Sequence, residues 1–185
     1  MEPILEIENI SLQFGGVKAL DSVTYHINQG EIFSLIGPNG AGKTSMLNCI
    51  SGLYQPTTGS IRYKGQEIIN MKPYNRTTLG MARAFQNIAL FAHMSVLDNL
   101  KLGRHSLMKA GIFSGGLYVG KASKEEIDHR QKVEEVIEFL DLQDIRHTPV
   151  GTLSYGLQKR VEVGRALALN PELILLDEPM AGMNN

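Results

Sequence analysis

Gly37-Pro38-Asn39-Gly40-Ala41-Gly42-Lys43-Thr44 is the stretch on which the reading of this chain turns. It fits G-x-x-x-x-G-K-[ST], the pattern of a loop that cradles phosphate. Ahead of it, Glu31-Ile32-Phe33-Ser34-Leu35-Ile36 reads as a short apolar strand. Behind it, Thr44 to Ile50 reads as a helix with Met46, Leu47 and Ile50 on its inner face. Phosphate oxygens need many donors at close range, and side chains would crowd one another there. Glycines at 37, 40 and 42 let backbone N–H groups turn inward and permit positive φ. The helix adds its unpaired N–H groups and the positive end of its dipole. Lys43 supplies a charge for the β- and γ-phosphates, and the Thr44 hydroxyl an oxygen for Mg²⁺. Pro38, Asn39, Ala41 and Ser45 complete the loop and the helix start. The ligand expected is a nucleotide with Mg²⁺.

The bulk composition restricts the setting. The chain has 185 residues, 43% hydrophobic and 20% charged, as in a soluble globular protein with one sizeable core and room for a small inserted subdomain. A net charge of −1 gives no electrostatic case for nucleic acid or an anionic membrane surface. Cys49 is the single cysteine, so no internal disulfide forms, and on the loop's helix it is expected to be a small buried apolar residue. No apolar run approaches the ~20 residues of a spanning helix. The N-terminus lacks a signal-peptide core.

Outward from the loop, Ile4–Ile10 alternates as an exposed antiparallel strand, Phe14-Gly15-Gly16 interrupts it, and Ser22–Ile27 resumes strand character. Ser60–Lys64 is a further strand, Pro73–Thr78 a short helix with proline in its first turn, and Met81–Phe85 a short strand ending at Gln86. Helices then dominate. Ser95 and Asp98 resemble a capping box opening Val96–Leu102. His105–Gly120 is a loop or broken helix. Ser123 and Glu126 are expected to cap a long helix with Ile127, Val133, Val136, Ile137 and Leu140 facing inward. Leu153-Ser154-Tyr155-Gly156 opens another helix, which runs to Leu169. Leu173–Leu176 is a continuous apolar run, the profile of a parallel strand buried on both faces. It ends in Asp177-Glu178, at the carboxyl end where ligands collect in such sheets. There Asp177 is placed to hold Mg²⁺ through water, and Glu178 to polarise an attacking water. The five histidines have no metal-ligand spacing, and the eight methionines read as core filler.

Four stretches in this order resemble the nucleotide-binding subunits of ABC transporters: Gly37–Thr44 (Walker A), Gln86 after Phe85 (the Q-loop), Leu153–Gln158 (the signature) and Leu173–Pro179 (Walker B). The signature has Tyr155 where the commonest form has glycine, a variant similar to one in a subset of importers. Leu12–Leu20 and Phe85–Phe91, with the extra segment around His105–Ala122, look closest to ATPase subunits of branched-chain amino acid importers, and amide and urea importers share much of this pattern. The fold implied is α/β: a P-loop NTPase core with a mixed sheet, an N-terminal antiparallel β subdomain and an inserted α-helical subdomain. Residues 1–86 would form the core with its β subdomain, 87–156 the helical subdomain with the signature, and 157–185 the return to the core.

The resemblance also implies roles. Phe14 stacks on adenine, the alternative being a core phenylalanine at a strand end. Gln86 reaches Mg²⁺ and the attacking water. Ser154 and Gly156 cover the γ-phosphate held by a second ABC ATPase subunit, so that ATP joins a homodimer or heterodimer head to tail. Lys43, Gln86 and Glu178 are the catalytic set, and Thr44, Gln86 and Asp177 the metal set. Permease subunits dock near Asn87–Leu100, a solute-binding protein takes part indirectly, and the chain lies on the cytoplasmic face of the inner membrane. The family continues past Walker B to a switch histidine, and no histidine follows Glu178. A truncated chain is therefore expected; taken as complete, it would hydrolyse weakly and carry an exposed sheet edge prone to aggregation. A soluble non-transport ABC ATPase, or a nucleotide-binding fragment without turnover, is the alternative reading.

Overall fold

The computed structural model describes residues 2–84, 90–105 and 121–178, the side chains of 105 and 121–126 excepted. The chain divides into two compact units, Met1–Leu79 and Gly80–Asn185.

The first unit is built on an antiparallel sheet. Strands β1 (Pro3–Phe14), β2 (Val17–Asn28), β3 (Thr58–Tyr63) and β4 (Gln66–Glu67) lie in the order β2-β1-β3-β4. β1 is thus an inner strand and not the exposed one its alternation suggests. It is paired on one side by β2 (Glu6 opposite His26) and on the other by β3 (Ile7 opposite Ile61). Bulges break strict alternation, and Ile4, Leu5, Ile7, Ile10 and Leu12 are all buried. Helix α1 (Lys43–Ser51) buries Met46, Cys49 and Ile50, and α2 (Pro73–Thr78) has the bounds its proline predicts.

The segment Glu31–Ile36 departs from expectation. It forms no strand, and Ile32 and Ile36 are 97% and 92% exposed. An apolar run encodes a wish to be buried but not a partner, and among the described residues no ladder takes this segment. Local contacts hold it instead. Glu31 accepts hydrogen bonds from the backbone N–H (2.8 Å) and the side-chain amide (3.1 Å) of Asn28, and the Phe33 ring stacks on Tyr25 at 4.9 Å.

The second unit has helices α3 (Val96–His105), α4 (Lys121–Phe139) and α5 (Tyr155–Leu167), and a parallel pair, β5 (Met81–Ala84) with β6 (Leu173–Leu176). Half of the capping box at α3 is formed: the Asp98 N–H donates to Ser95 Oγ (3.1 Å), while the Asp98 carboxylate accepts from that hydroxyl (2.6 Å) instead of from the Ser95 backbone N–H. α4 already includes Lys121, so Ser123 lies inside the helix and not at the cap position expected of it. Val133 and Ile137 enter the core with Val96, Leu100, Leu142, Val150 and Val161, and Val136 and Leu140 pack against it. Ile127, expected inside, is 61% exposed. α3 packs closely on α5, where a Cβ on Gly164 would lie 2.8 Å from Leu100 Cδ2 and 2.9 Å from Leu140 Cδ1. β6 pairs rung for rung with β5, from Met81 opposite Leu173 to Ala84 opposite Leu176. With β5 its one partner among the described residues, β6 is not buried on both faces: Leu175 is buried and Leu176 exposed.

Candidate functional site

The candidate residues fall in both units. In the first unit, Gly42 is the hinge between loop and helix. It holds φ 86°, ψ 6°, and its carbonyl accepts the first helical bond of α1, from Met46 N–H at 2.9 Å. A Cβ there would meet Ala19 O at 2.6 Å and Leu20 Cδ2 at 2.8 Å, so both the dihedral and the space demand glycine. Gly40 also has positive φ, whereas Gly37, expected to share it, does not. No side chain caps this end of α1, which leaves a helix terminus of the kind that takes anions. The Lys43 ammonium folds back over the loop and donates to Gly37 O (2.7 Å) and Pro38 O (2.8 Å). The Ala41 N–H closes the loop on Pro38 O at 3.2 Å.

The far end of α1 is held by a residue that sequence reading missed. Arg76 is fully buried and donates to the carbonyls of Cys49 (2.8 Å), Ile50 (2.8 Å), Ile69 (3.1 Å) and Met71 (3.0 Å). α1 carries no basic residue in its own last turn, and Arg76 supplies that charge from α2. Burial pulls the Arg76 pKa down, while Glu67 is among the groups that oppose the shift. Phe14, at the end of β1, is half-exposed and meets Tyr54 edge-on, with ring centroids 5.2 Å apart.

In the second unit, Asp177 follows β6 and is buried, its carboxylate 3.3 Å from the Arg83 guanidinium. Glu178, exposed, has φ 48°, so the chain turns sharply just past the strand. Ser154 is the extended N-cap residue of α5 and makes no side-chain cap bond. No heavy atom lies within 4 Å of where a Gly156 Cβ would sit, and Tyr155 is exposed. The signature residues are thus on the surface of their unit, with Gln158 tied back to Leu153 O at 2.8 Å. Gln86 lies outside the described residues.

Arg83 and Asn99 are the other residues not foreseen. Asn99, fully buried, bonds to Phe91 N–H and to the carbonyls of Phe91, Met94 and Ser95, pinning the approach to α3. The available signal was a polar residue on an apolar helix face. For Arg83 it was a lone charge between Ala82 and Ala84 in a short apolar strand.

A glycine-seated helix N-terminus with a lysine over its loop, in a chain whose parallel strand ends in Asp-Glu, defines a P-loop NTPase. The ABC transporter family model matches residues 20–181. The branched-chain amino acid transport ATP-binding protein BraF of Pseudomonas aeruginosa is 35% identical over 98% of this chain and 71% of its own length. LivG of Escherichia coli is 35% identical over 99% of this chain and 72% of its own. Among solved structures, the ADP conformation of an ATP-binding cassette of an ABC transporter is 36% identical with a TM-score of 0.81, over 98% of this chain and 71% of the other. The chain belongs to the ABC transporter family and carries its nucleotide-binding ATPase cassette. Among the described residues no helix is long and apolar enough to cross a membrane.

Proposed function

We propose that this chain is the ATP-binding and ATP-hydrolysing subunit of an importer for branched-chain amino acids, seated on permease subunits at the cytoplasmic face of the membrane. The observation that carries this reading is the Gly42 seat of α1 with Lys43 over its loop, in a chain similar to BraF and LivG along nearly its whole length. The division at residues 86 and 156 belongs to the same reading.

The residues present suit a magnesium triphosphate. α1 offers an uncapped N-terminus, Lys43 a mobile charge and Thr44 a hydroxyl, and Asp177 offers a buried carboxylate already paired with a guanidinium. Mg²⁺, when bound, neutralises charge on the triphosphate and fixes its shape. Lys43 would exchange its loop carbonyls for phosphate oxygens, and Thr44, Asp177 and Gln86 are the residues that would hold the metal. Glu178 orients and deprotonates the attacking water, a step in which Gln86 is assigned a part as well. Phe14, half-exposed, offers a ring face to adenine. Ser154, exposed, and Gly156, half-buried with open space beside it, serve the phosphate of a second subunit, which gives them a role that their own loop does not. Hydrolysis releases that contact and resets the dimer.

Two substitutions test this. Lys43→Ala should weaken binding of a fluorescent ATP analogue by about 10- to 100-fold, the worth of a charge-assisted hydrogen bond. Glu178→Gln should slow turnover by about 100-fold or more and trap an ATP-bound dimer on gel filtration. A Glu178→Gln protein that stays monomeric under saturating Mg-ATP refutes the head-to-tail mechanism.

A further inference from the structure

Arg83 has no role in the mechanism above, yet it is the one charged residue of β5 and its side chain is only 8% exposed. Its strand neighbours Met81, Ala82 and Ala84 are buried and apolar. In the parallel ladder Arg83 stands opposite Leu175, and Asp177 lies two residues further on, just past the end of β6 and buried like Leu175. A side chain of arginine's length covers that step, and its Nη2 reaches Asp177 Oδ2 at 3.3 Å. The Asp177 side chain is 5% exposed.

Holding the strands together is a weak reason for such a pair, since buried ion pairs are commonly matched or bettered by apolar residues of similar volume. Orientation is a stronger one. A carboxylate on a strand end has freedom about χ1 and χ2, and a planar guanidinium donor fixed by its own strand removes it. The sharp turn at Glu178 follows at once, so Asp177 is the last residue that the ladder can steer.

We propose that Arg83 is a positioning residue for Asp177, holding its carboxylate in the orientation that meets the divalent cation accompanying ATP. This rests on the reading of Asp177 as a metal-facing residue. Arg83 touches neither nucleotide nor metal and acts through Asp177 alone. Two effects compete when it is removed. Losing a nearby positive charge favours a cation, whereas losing the orienting partner disfavours it, and outer-shell partners of metal ligands are worth roughly 10- to 100-fold in affinity. The positioning role requires the second effect to win.

The test uses the full chain and Mn²⁺ as the spectroscopic probe, titrated by electron paramagnetic resonance at saturating ATP, with ATP affinity measured separately in EDTA. Arg83→Gln should weaken Mn²⁺ binding by about 10-fold or more and leave metal-free ATP affinity at the parent value. Arg83→Lys should recover part of the loss, and it carries the test alone if the glutamine variant does not fold. Combined with Asp177→Asn, Arg83→Gln should add no further loss. Unchanged or tighter Mn²⁺ binding in both Arg83 variants, or losses that add in the double variant, overturns the inference. If Asp177→Asn by itself binds Mn²⁺ like the parent, the assignment of Asp177 falls first and takes this inference with it.

Discussion

Cys49 shows how far a single residue is legible. Its place on the loop's helix marks it as a small buried side chain, and it is fully buried. Burial pushes its thiol from 9.0 up to about 11, with the positive charge of Arg76 pulling the other way. Below pH 9 the thiol is protonated both folded and unfolded. Above it the unfolded chain loses the proton first, so stability falls as the pH rises from about 9 to about 11. Melting curves across that window should show the loss, and Cys49→Ala should remove its share. Tyr25, pushed up to about 12 by burial, extends the decline further into alkali. Arg76 and Arg83 were illegible for a physical reason. The first bonds to carbonyls as far as 27 residues away and the second to a carboxylate 94 residues away, and no local pattern encodes such partners. The loop glycines were legible because a turn into a helix is decided within a few residues.

At the scale of elements, the same division between local and distant causes holds. α2 and the Ser95–Asp98 cap match their sequence signals, since both depend on neighbours three or four residues apart. Ser123 repeats the pattern, yet its backbone is already helical and so is not at a cap position. Two pairings made β1 an inner strand, and one of them, with β3, comes from a segment some fifty residues later. Gly164 is a further case of this kind: its hydrogen is room for Leu100 and Leu140, side chains from other elements. Gly164→Val should cost about 1–3 kcal/mol from overpacking, read by urea unfolding. Gly156→Ala, with open space around the position, should leave stability level or raise it by up to about 1 kcal/mol, as helix propensity favours alanine.

At the scale of the molecule, the sequence conveyed the class of fold, and the helices of the second unit pack on a core as their periodicity called for. What it did not convey was where apolar residues would find cover. Glu31–Ile36 and Leu173–Leu176 read alike as apolar runs, yet β6 has a partner in β5 and the other has none among the described residues. The two isoleucines left in water at 32 and 36 make the chain's solubility depend on what else is dissolved. Sulfate and phosphate salts strengthen apolar association by being excluded from surfaces, and chaotropic anions relax it. Static light scattering of the purified chain should therefore rise with added ammonium sulfate well before bulk precipitation. Ile32→Lys with Ile36→Lys should move that onset to higher salt while leaving the far-ultraviolet circular dichroism unchanged.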